Sequence, residues 1–461
     1  MNTSQYEETD LTLKNASLEK IAATASEIIY RNKQKKKNLS IKDVSGNSGA
    51  KTFICMDDEV PKCIVKVKGD DSIMSSHPNT EKRVVLATEV LRKHNIAPSI
   101  LMRGADFHIE KSSGISVMDD FFHFNSELAP PEKIAKLLAK LHSVPVEWYT
   151  VLKTEFLYRD KQLKSILESM PSYAPCWCLP WSAFDTGMPV LGVGNPNPEV
   201  AKRVLNLLVK TGVYKKVMQC QDFLPLSNPA RREVVIHNDF KPDNVLYDPE
   251  TKELSLIDYD LVQVGPAIMD FGLPYMMWLG SRFTDFDYRK DFIKTYLKEA
   301  NLPFDQSSVE DMMLDCEINT IVAFPGLLSN IYDAEVPLLR GIEHPTAKAG
   351  VIGSNSSASP TGLDLVDLLA DAVKKVRTDK DLKISSIKNG FVVTMFEQEG
   401  FGSVLLNSWL KEMQKNKMLR LFGIAENDGG PLFVSEHALS LIHISEPTRP
   451  LYISYAVFCL K

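Results

Sequence analysis

The chain has 461 residues, 44% hydrophobic and 24% charged, as in ordinary soluble globular proteins, with room for two or three domains that each bury a core. A net charge of −6 argues against a general nucleic-acid binder, which would usually be basic. Seven cysteines, an odd number spread over the chain, point to a reducing compartment rather than a disulfide framework.

Residues 1–10 are polar and acidic, unlike a secretory signal. No apolar run approaches the ~18–20 residues that span a bilayer, so a cytoplasmic protein without a transmembrane segment is expected. Residues 17–30 carry a helical stripe of Leu18, Ile21, Ala22, Ala25, Ile28 and Ile29. Five basic residues follow within 31–37, read as a solvated helix end, with lipid contact or a localisation signal as the other readings.

Residues 41–68 read as three short strands. The turn after the first holds Gly46, Asn47 and Ser48, a small loop whose backbone N–H groups are able to reach phosphates; glycines between strands also mark plain hairpins. In the strand 63–68, alternation puts Ile64, Lys66 and Lys68 on one face and Val65 and Val67 on the other. A helix is expected over 80–95, a strand over 107–115 and an amphipathic helix over 131–142, with His142 as a structural residue at its end. Residues 147–232 read as mostly helical, interrupted over 171–198 by a stretch rich in Pro, Gly and aromatics. Within it, Cys176-Trp177-Cys178 is too closely spaced for zinc and lacks a second ligand pair.

Residues 234–258, VVIHNDFKPDNVLYDPETKELSLID, carry the chemistry. A short apolar strand, Val234 to Ile236, runs into a polar loop with His237, Asp239 and Asn244, the H-x-D-x-x-x-x-N spacing of kinase catalytic loops. A second apolar strand with Leu254, Leu256 and Ile257 then delivers Asp258. In phosphoryl transfer the first Asp accepts the proton of the attacking hydroxyl, while the Asn and the later Asp hold Mg²⁺ against the nucleotide phosphates. A hairpin-like path is needed to bring Asn244 and Asp258, fourteen positions apart, to one metal ion. Asp, Asn and Pro are also turn residues, but four polar groups in this order between two strands favour a phosphotransferase site.

His237-Asn238-Asp239 followed by Pro242 and Asn244 resembles the Brenner motif of the choline/ethanolamine kinase and aminoglycoside phosphotransferase superfamily. Asn238, where aminoglycoside phosphotransferases more often carry Gly, leans towards the choline/ethanolamine kinases. Ile257-Asp258-Tyr259-Asp260 is similar to that family's I-D-F-E segment, and Asp270, Gly272 and Trp278 fall at the spacing of its D-x-G-x(5)-W segment. Glu317-Ile318-Asn319 resembles the E-V-N that opens a late family helix. The resemblance covers roughly residues 41–332 and is densest over 234–278.

That resemblance implies an α+β, two-lobed protein-kinase-like fold, with a small N-lobe of antiparallel sheet and helix and a larger, mainly helical C-lobe. It implies ATP and Mg²⁺ as cofactors and a small alcohol such as choline or ethanolamine as acceptor; the net charge speaks against a nucleic-acid partner, and a homodimer is one oligomeric state among those left open. Asp239 is then the catalytic base beside His237, Asn244 and Asp258 the metal ligands, and Lys66 the contact to the α/β-phosphates, with Lys68 the runner-up. An acid on the helix after this strand holds the lysine; Glu81 and Glu89 are both available, and Glu89 is favoured. Backbone groups around residues 110–114, beginning at Glu110, are expected at the hinge to meet adenine. Asp239, Asp260, Trp278 and Tyr332 outline the acceptor pocket, whose quaternary ammonium would call for aromatic faces and carboxylates. The departures from the family fall here: Asp260 for Glu, Leu261 for Tyr, Leu273 and Met277 for Asn and Glu, and Ser329 and Tyr332 for two tryptophans. An aminoglycoside or other metabolite kinase, or a nucleotide-binding pseudokinase, therefore remains as an alternative.

Helices are expected over 291–300 and 309–332, a linker dense in Gly, Ser, Ala and Pro over 341–362, and two helical patterns around a strand-like segment over 391–395. The domains are thus an extension, 1–38; an N-lobe, 39–112; a C-lobe, 113–340; the linker; a region without an assigned role, 363–440; and a tail, 441–461. The tail resembles translated sequencing-adapter read-through, so no function is read from His443 or Cys459.

Overall fold

The computed structural model describes residues 7–31, 37–45, 51–68, 78–117, 128–148, 220–237, 240, 242–259, 262–271, 285–322, 362–391, 394, 443–446 and 449–452. The fold is α+β, with an antiparallel-dominated sheet at the N-terminus and most helices after it.

Six strands form the first sheet: β1 (Glu7–Glu8), β2 (Ser40–Asp43), β3 (Lys51–Asp57), β4 (Val60–Val67), β5 (Ile100–Arg103) and β6 (Phe107–Lys111), in the order β1-β5-β6-β4-β3-β2. All neighbours are antiparallel except β1 with β5. Period-2 alternation sorts the faces. Cys63, Val65 and Val67 of β4, Phe107 and Ile109 of β6 and Phe53 and Cys55 of β3 are buried on one side with Ile21, Ala25 and Tyr30. The last three lie on or beside α1 (Leu18–Ile29), so the N-terminal helix covers this sheet face instead of standing apart from it. Full burial of each such aliphatic or aromatic side chain contributes ~1.5–3 kcal/mol. Ser17 caps α1 by accepting the N–H of Lys20, and Tyr30 Oη donates to Asp57 at 2.5 Å. Helix α2 (Pro78–Lys93) lies between β4 and β5 in the chain.

At the end of β6 the chain changes sheets. β7 (Ile115–Ser116) pairs with β9 (Val245–Tyr247), which pairs in turn with β10 (Leu254–Leu256). Gly114 makes this crossing with φ +119°, and a Cβ there would stand 2.0 Å from the Tyr247 carbonyl oxygen. Only glycine fits both the dihedral and the contact. Gly114→Ala is expected to cost ~1–3 kcal/mol in a denaturant titration, because it adds backbone strain and separates β7 from β9. An unshifted midpoint would contradict this role.

In the larger lobe, α3 (Pro131–His142) buries Ile134, Leu138 and Leu141 and packs along α5 (Phe286–Glu299). Asp285 caps α5 and starts it five residues before the expected 291. The short α4 (Asn228–Arg231) leads into β8 (Glu233–Ile236), which pairs antiparallel with β11 (Gln263–Pro266). α6 (Gln306–Val322) carries Glu317 well inside the helix, not at its opening.

α7 (Gly362–Thr378) and α8 (Lys380–Asn389) dock onto this lobe. Arg377 pairs with Asp315 at 3.6 Å and Lys383 with Asp311 at 2.7 Å. The strand expected over 391–395 is not formed at the described positions. Gly390, with φ +95°, ends α8, and the Thr394 N–H then donates to the Gly390 carbonyl at 3.0 Å, a helical bond that leaves Phe391 and Thr394 helical. α7 and α8 both precede Phe391; the helical pattern expected beyond residue 395 lies outside the described residues. β12 (His443–Glu446) and β13 (Arg449–Tyr452) pair as a hairpin within the tail. The basic residues 32–36, the insertion over 171–198 and the linker over 341–361 lie outside the described residues. Among the described residues, no helix is long and apolar enough to cross a membrane.

Candidate active site

Two hairpin-like connections build the site. β8 delivers His237, and the chain passes through a 3₁₀ turn, Pro242–Asn244, into β9. β9 and β10 pair with Val245 opposite Leu256, so Asn244 precedes one strand and Ile257-Asp258 follow the other. The Ile257 N–H donates to the Asn244 carbonyl at 3.0 Å. The fourteen-residue separation is thus closed by an antiparallel ladder, as the spacing required. Asn244 is buried, and Asp258 is half-buried with φ +66°, a left-handed conformation that Asp and Asn adopt more readily than other non-glycine residues. β9, which was not read from the sequence, sets this register with β10, while β11, also not read, pairs with β8.

His237 is fully buried, and its Nε2 lies 2.9 Å from the Ile257 carbonyl. A carbonyl only accepts, so Nε2 carries the proton and the ring ties the loop to the segment bearing Asp258. That contact makes His237 a positioning residue for Asp258. Asp270 fixes the loop from the other side. Its Oδ2 accepts the His237 backbone N–H at 2.8 Å and lies 3.2 Å from Nε2 of His142. Nε2 of His142 therefore donates, and its Nδ1, 2.8 Å from Tyr296 Oη, accepts. Burial pushes the His142 pKa down, against the pull of Asp270. The ring holds α3, α5 and the catalytic loop together, a wider structural duty than a helix end. Asn319 Nδ2 donates to the Ile268 carbonyl at 2.8 Å beside this cluster. Asp270 was read only as a motif match; nothing local in the sequence reveals its partners.

On the sheet above, Lys66 Nζ lies 3.8 Å from Glu110 Oε1, and His108 Nε2 lies 2.8 Å from the same oxygen. Glu110 is not in the hinge. It sits within β6, opposite Ile64 on one side and Ile100 on the other, and its carboxylate faces away from the α1 core. Burial would raise its pKa, but the charge of Lys66, the hydrogen bond and charge of His108 and the charge of Arg103 outweigh that and hold it down at about 2. It stays ionised throughout the ordinary pH range. The Tyr259 phenol is pushed well up, first by burial and then by the charges of Glu110 and Asp258. The buried Tyr259 phenol therefore feels the charge of both carboxylates.

Glu89 lies half-buried on α2, while the Glu81 side chain lies outside the described residues, as do Gly46, Asn47, Ser48, Asp239, Asp260, Trp278 and Tyr332. Strand alternation was the available signal for Glu110: with Phe107 and Ile109 facing the core, His108 and Glu110 had to share the face of Lys66. Among the described residues, no cluster of three or more His, Cys, Asp or Glu is assembled to hold a metal. One amide and one carboxylate, both hard oxygen donors, fit an ion such as Mg²⁺ that keeps phosphate and water ligands, and do not fit zinc.

Residues 131–304, which include the catalytic loop, Asp258 and Asp270, match the family model described as "Phosphotransferase enzyme family". No curated protein matches the chain in sequence. Among solved structures it is similar to a choline kinase from Cryptosporidium parvum Iowa II, with 15% identity over 79% of this chain and 98% of that one at a TM-score of 0.47. It is also similar to an ethanolamine kinase from Plasmodium vivax, with 14% identity over 78% and 89% at 0.43. An aminoglycoside phosphotransferase from Alicyclobacillus acidocaldarius shares 11% identity over 72% and 91% at 0.34.

Proposed function

We propose that this chain, matched over residues 131–304 by a phosphotransferase enzyme family, is an ATP- and Mg²⁺-dependent kinase that phosphorylates a hydroxyl of a small alcohol. Choline or ethanolamine is the leading acceptor, which would place the product in phospholipid-precursor synthesis. The observation that supports it is the β9–β10 ladder that brings Asn244 beside the segment bearing Asp258, where the Ile257 N–H donates to the Asn244 carbonyl at 3.0 Å.

In this reading bound ATP supplies the transferable phosphoryl group and Mg²⁺ neutralises the charge on it. Asn244 and Asp258 would hold the metal and Lys66 would steady the phosphates, with the backbone N–H groups of Gly46, Asn47 and Ser48 proposed to assist. Asp239, which follows His237 by two residues, would take the proton of the acceptor hydroxyl as that oxygen bonds the γ-phosphorus and the P–O bond to the β-phosphate breaks, releasing ADP. Asp260, Trp278 and Tyr332 are the residues proposed to bind the acceptor. Leu273, Met277 and Ser329, where the choline/ethanolamine kinases carry polar or aromatic residues, favour an aminoglycoside or another hydroxylated metabolite as the second reading. The buried free thiols of Cys55, Cys63 and Cys316 suit the cytoplasm.

The test is ATP consumption by the purified protein against choline, ethanolamine, aminoglycosides and sugars. One acceptor should be turned over by the wild type, and Asp239→Ala should lose ~10²–10⁴-fold, the usual contribution of a general base. Turnover of none of them, despite binding of Mg²⁺-ATP, would sink the kinase reading in favour of a nucleotide-binding pseudokinase.

A further inference from the structure

Lys66 stands opposite His108 across the β4–β6 ladder, and Arg103 stands opposite His108 across β5–β6. Cross-strand partners share a face, as do residues two apart on one strand, so Lys66, His108, Arg103 and Glu110 all point to the same side. That side is turned away from the core that Val65, Val67, Phe107 and Ile109 make with α1. Glu110 is thus a single carboxylate, 2% exposed, serving a row of three basic side chains drawn from three neighbouring strands.

We propose that Glu110 is the acid that positions the nucleotide lysine Lys66, and that His108 holds the Glu110 carboxylate in place for that task. His108 Nε2 and Lys66 Nζ approach the same atom, Glu110 Oε1, at 2.8 and 3.8 Å. The short contact fixes the carboxylate; the longer one sets the Lys66 ammonium beside it on this sheet face. The clamp is therefore borne on a strand. An acid on a helix reaches its lysine only when the helix is docked, whereas β4 and β6 are joined by ladder hydrogen bonds and their side chains move together. Burial strengthens the pairing because little solvent screens it. The inference rests on the phosphotransferase reading of this cleft and names a residue that the reading had placed elsewhere.

Binding of a fluorescent, non-hydrolysable ATP analogue with Mg²⁺ to the full chain tests it without reference to any acceptor. Glu110→Gln should weaken binding roughly tenfold, the scale of one partly buried charge pairing lost. His108→Asn should weaken it less, and Glu89→Gln less than Glu110→Gln. The double variant Lys66→Met/Glu110→Gln should bind no more weakly than Lys66→Met alone, a coupling that a merely structural glutamate would not produce. Wild-type binding in a folded Glu110→Gln, or a larger loss in Glu89→Gln, overturns the proposal. If Glu110→Gln does not fold, His108→Asn carries the test, and unaltered binding there overturns it. Undiminished binding in Lys66→Met would instead show that this face does not hold the nucleotide, and the kinase reading would fall with it.

Discussion

Asp258→Asn is expected to reduce Mg²⁺-dependent ATP turnover by ~10²–10³-fold or more while leaving the fold intact, a loss of the size found when one transition-state charge stabiliser is removed. The substitution separates charge from shape. Asp258 holds φ +66°, and Asn adopts that conformation as readily as Asp, so the backbone between β10 and Tyr259 keeps its course. The His237–Ile257 and Asn244–Ile257 contacts do not involve the Asp258 side chain and should survive. What disappears is the negative charge that would face the metal, leaving two neutral amides in a site that must hold a divalent cation. A Mg²⁺ titration should show the dependence shifted to much higher concentration, with a melting temperature close to that of the wild type. Full turnover at ordinary Mg²⁺ would remove Asp258 from the metal site.

Glu317→Gln and Arg289→Met are each expected to destabilise the protein by ~3–5 kcal/mol, the cost of leaving one buried charge without its partner. Both side chains are shut off from solvent. Arg289 Nη1 pairs with Glu317 Oε1, while Nη2 donates to the carbonyls of Ile387 and Lys388 at 2.8 and 2.9 Å. Glu317 Oε2 accepts the Phe391 N–H at 2.5 Å. The pair therefore joins α5 to α6 and fastens the end of α8 to both. The double replacement Arg289→Met/Glu317→Leu should cost less than either single change, because no charge is then left buried alone. Hydrogen exchange across residues 380–391 should rise first in the single variants. Single variants within about 1 kcal/mol of wild type in a denaturant titration would show that the pair does not hold the lobe. Turnover should fall as well, since Asn319, two residues beyond Glu317, holds the Ile268 carbonyl beside Asp270. The region read from the sequence as lacking a role thus belongs, at least over residues 362–391, to the large lobe.

Local patterns carried most of the elements. α1, α2 and α3 lie within two residues of the stripes over 17–30, 80–95 and 131–142, because an amphipathic face is written at a period its own residues reveal. The three strands over 41–68 and the face shared by Ile64 and Lys66 follow from alternation in the same way. The hairpin-like path from Asn244 to Asp258 was legible because residues fourteen positions apart meet only if the chain returns on itself. Residues 391–395 misled because Phe, Val, Val, Thr and Met look extended in isolation. A cap at Gly390 and a buried acid on α6 decided otherwise.

What the sequence by itself determined, then, is the course of its local elements and the hairpin that returns Asp258 towards Asn244. Tertiary structure alone decided the partners. Glu110 meets Lys66 because β6 pairs with β4 in one particular register, forty-six residues apart at Ile64 and Glu110. Asp270 meets the His237 amide, and Arg289 meets Glu317 and the end of α8, through packing between elements far apart in the chain. A side chain's periodicity says which face it occupies, but the charge it will face depends on which other element is folded against that face, and no stretch of neighbouring residues encodes that.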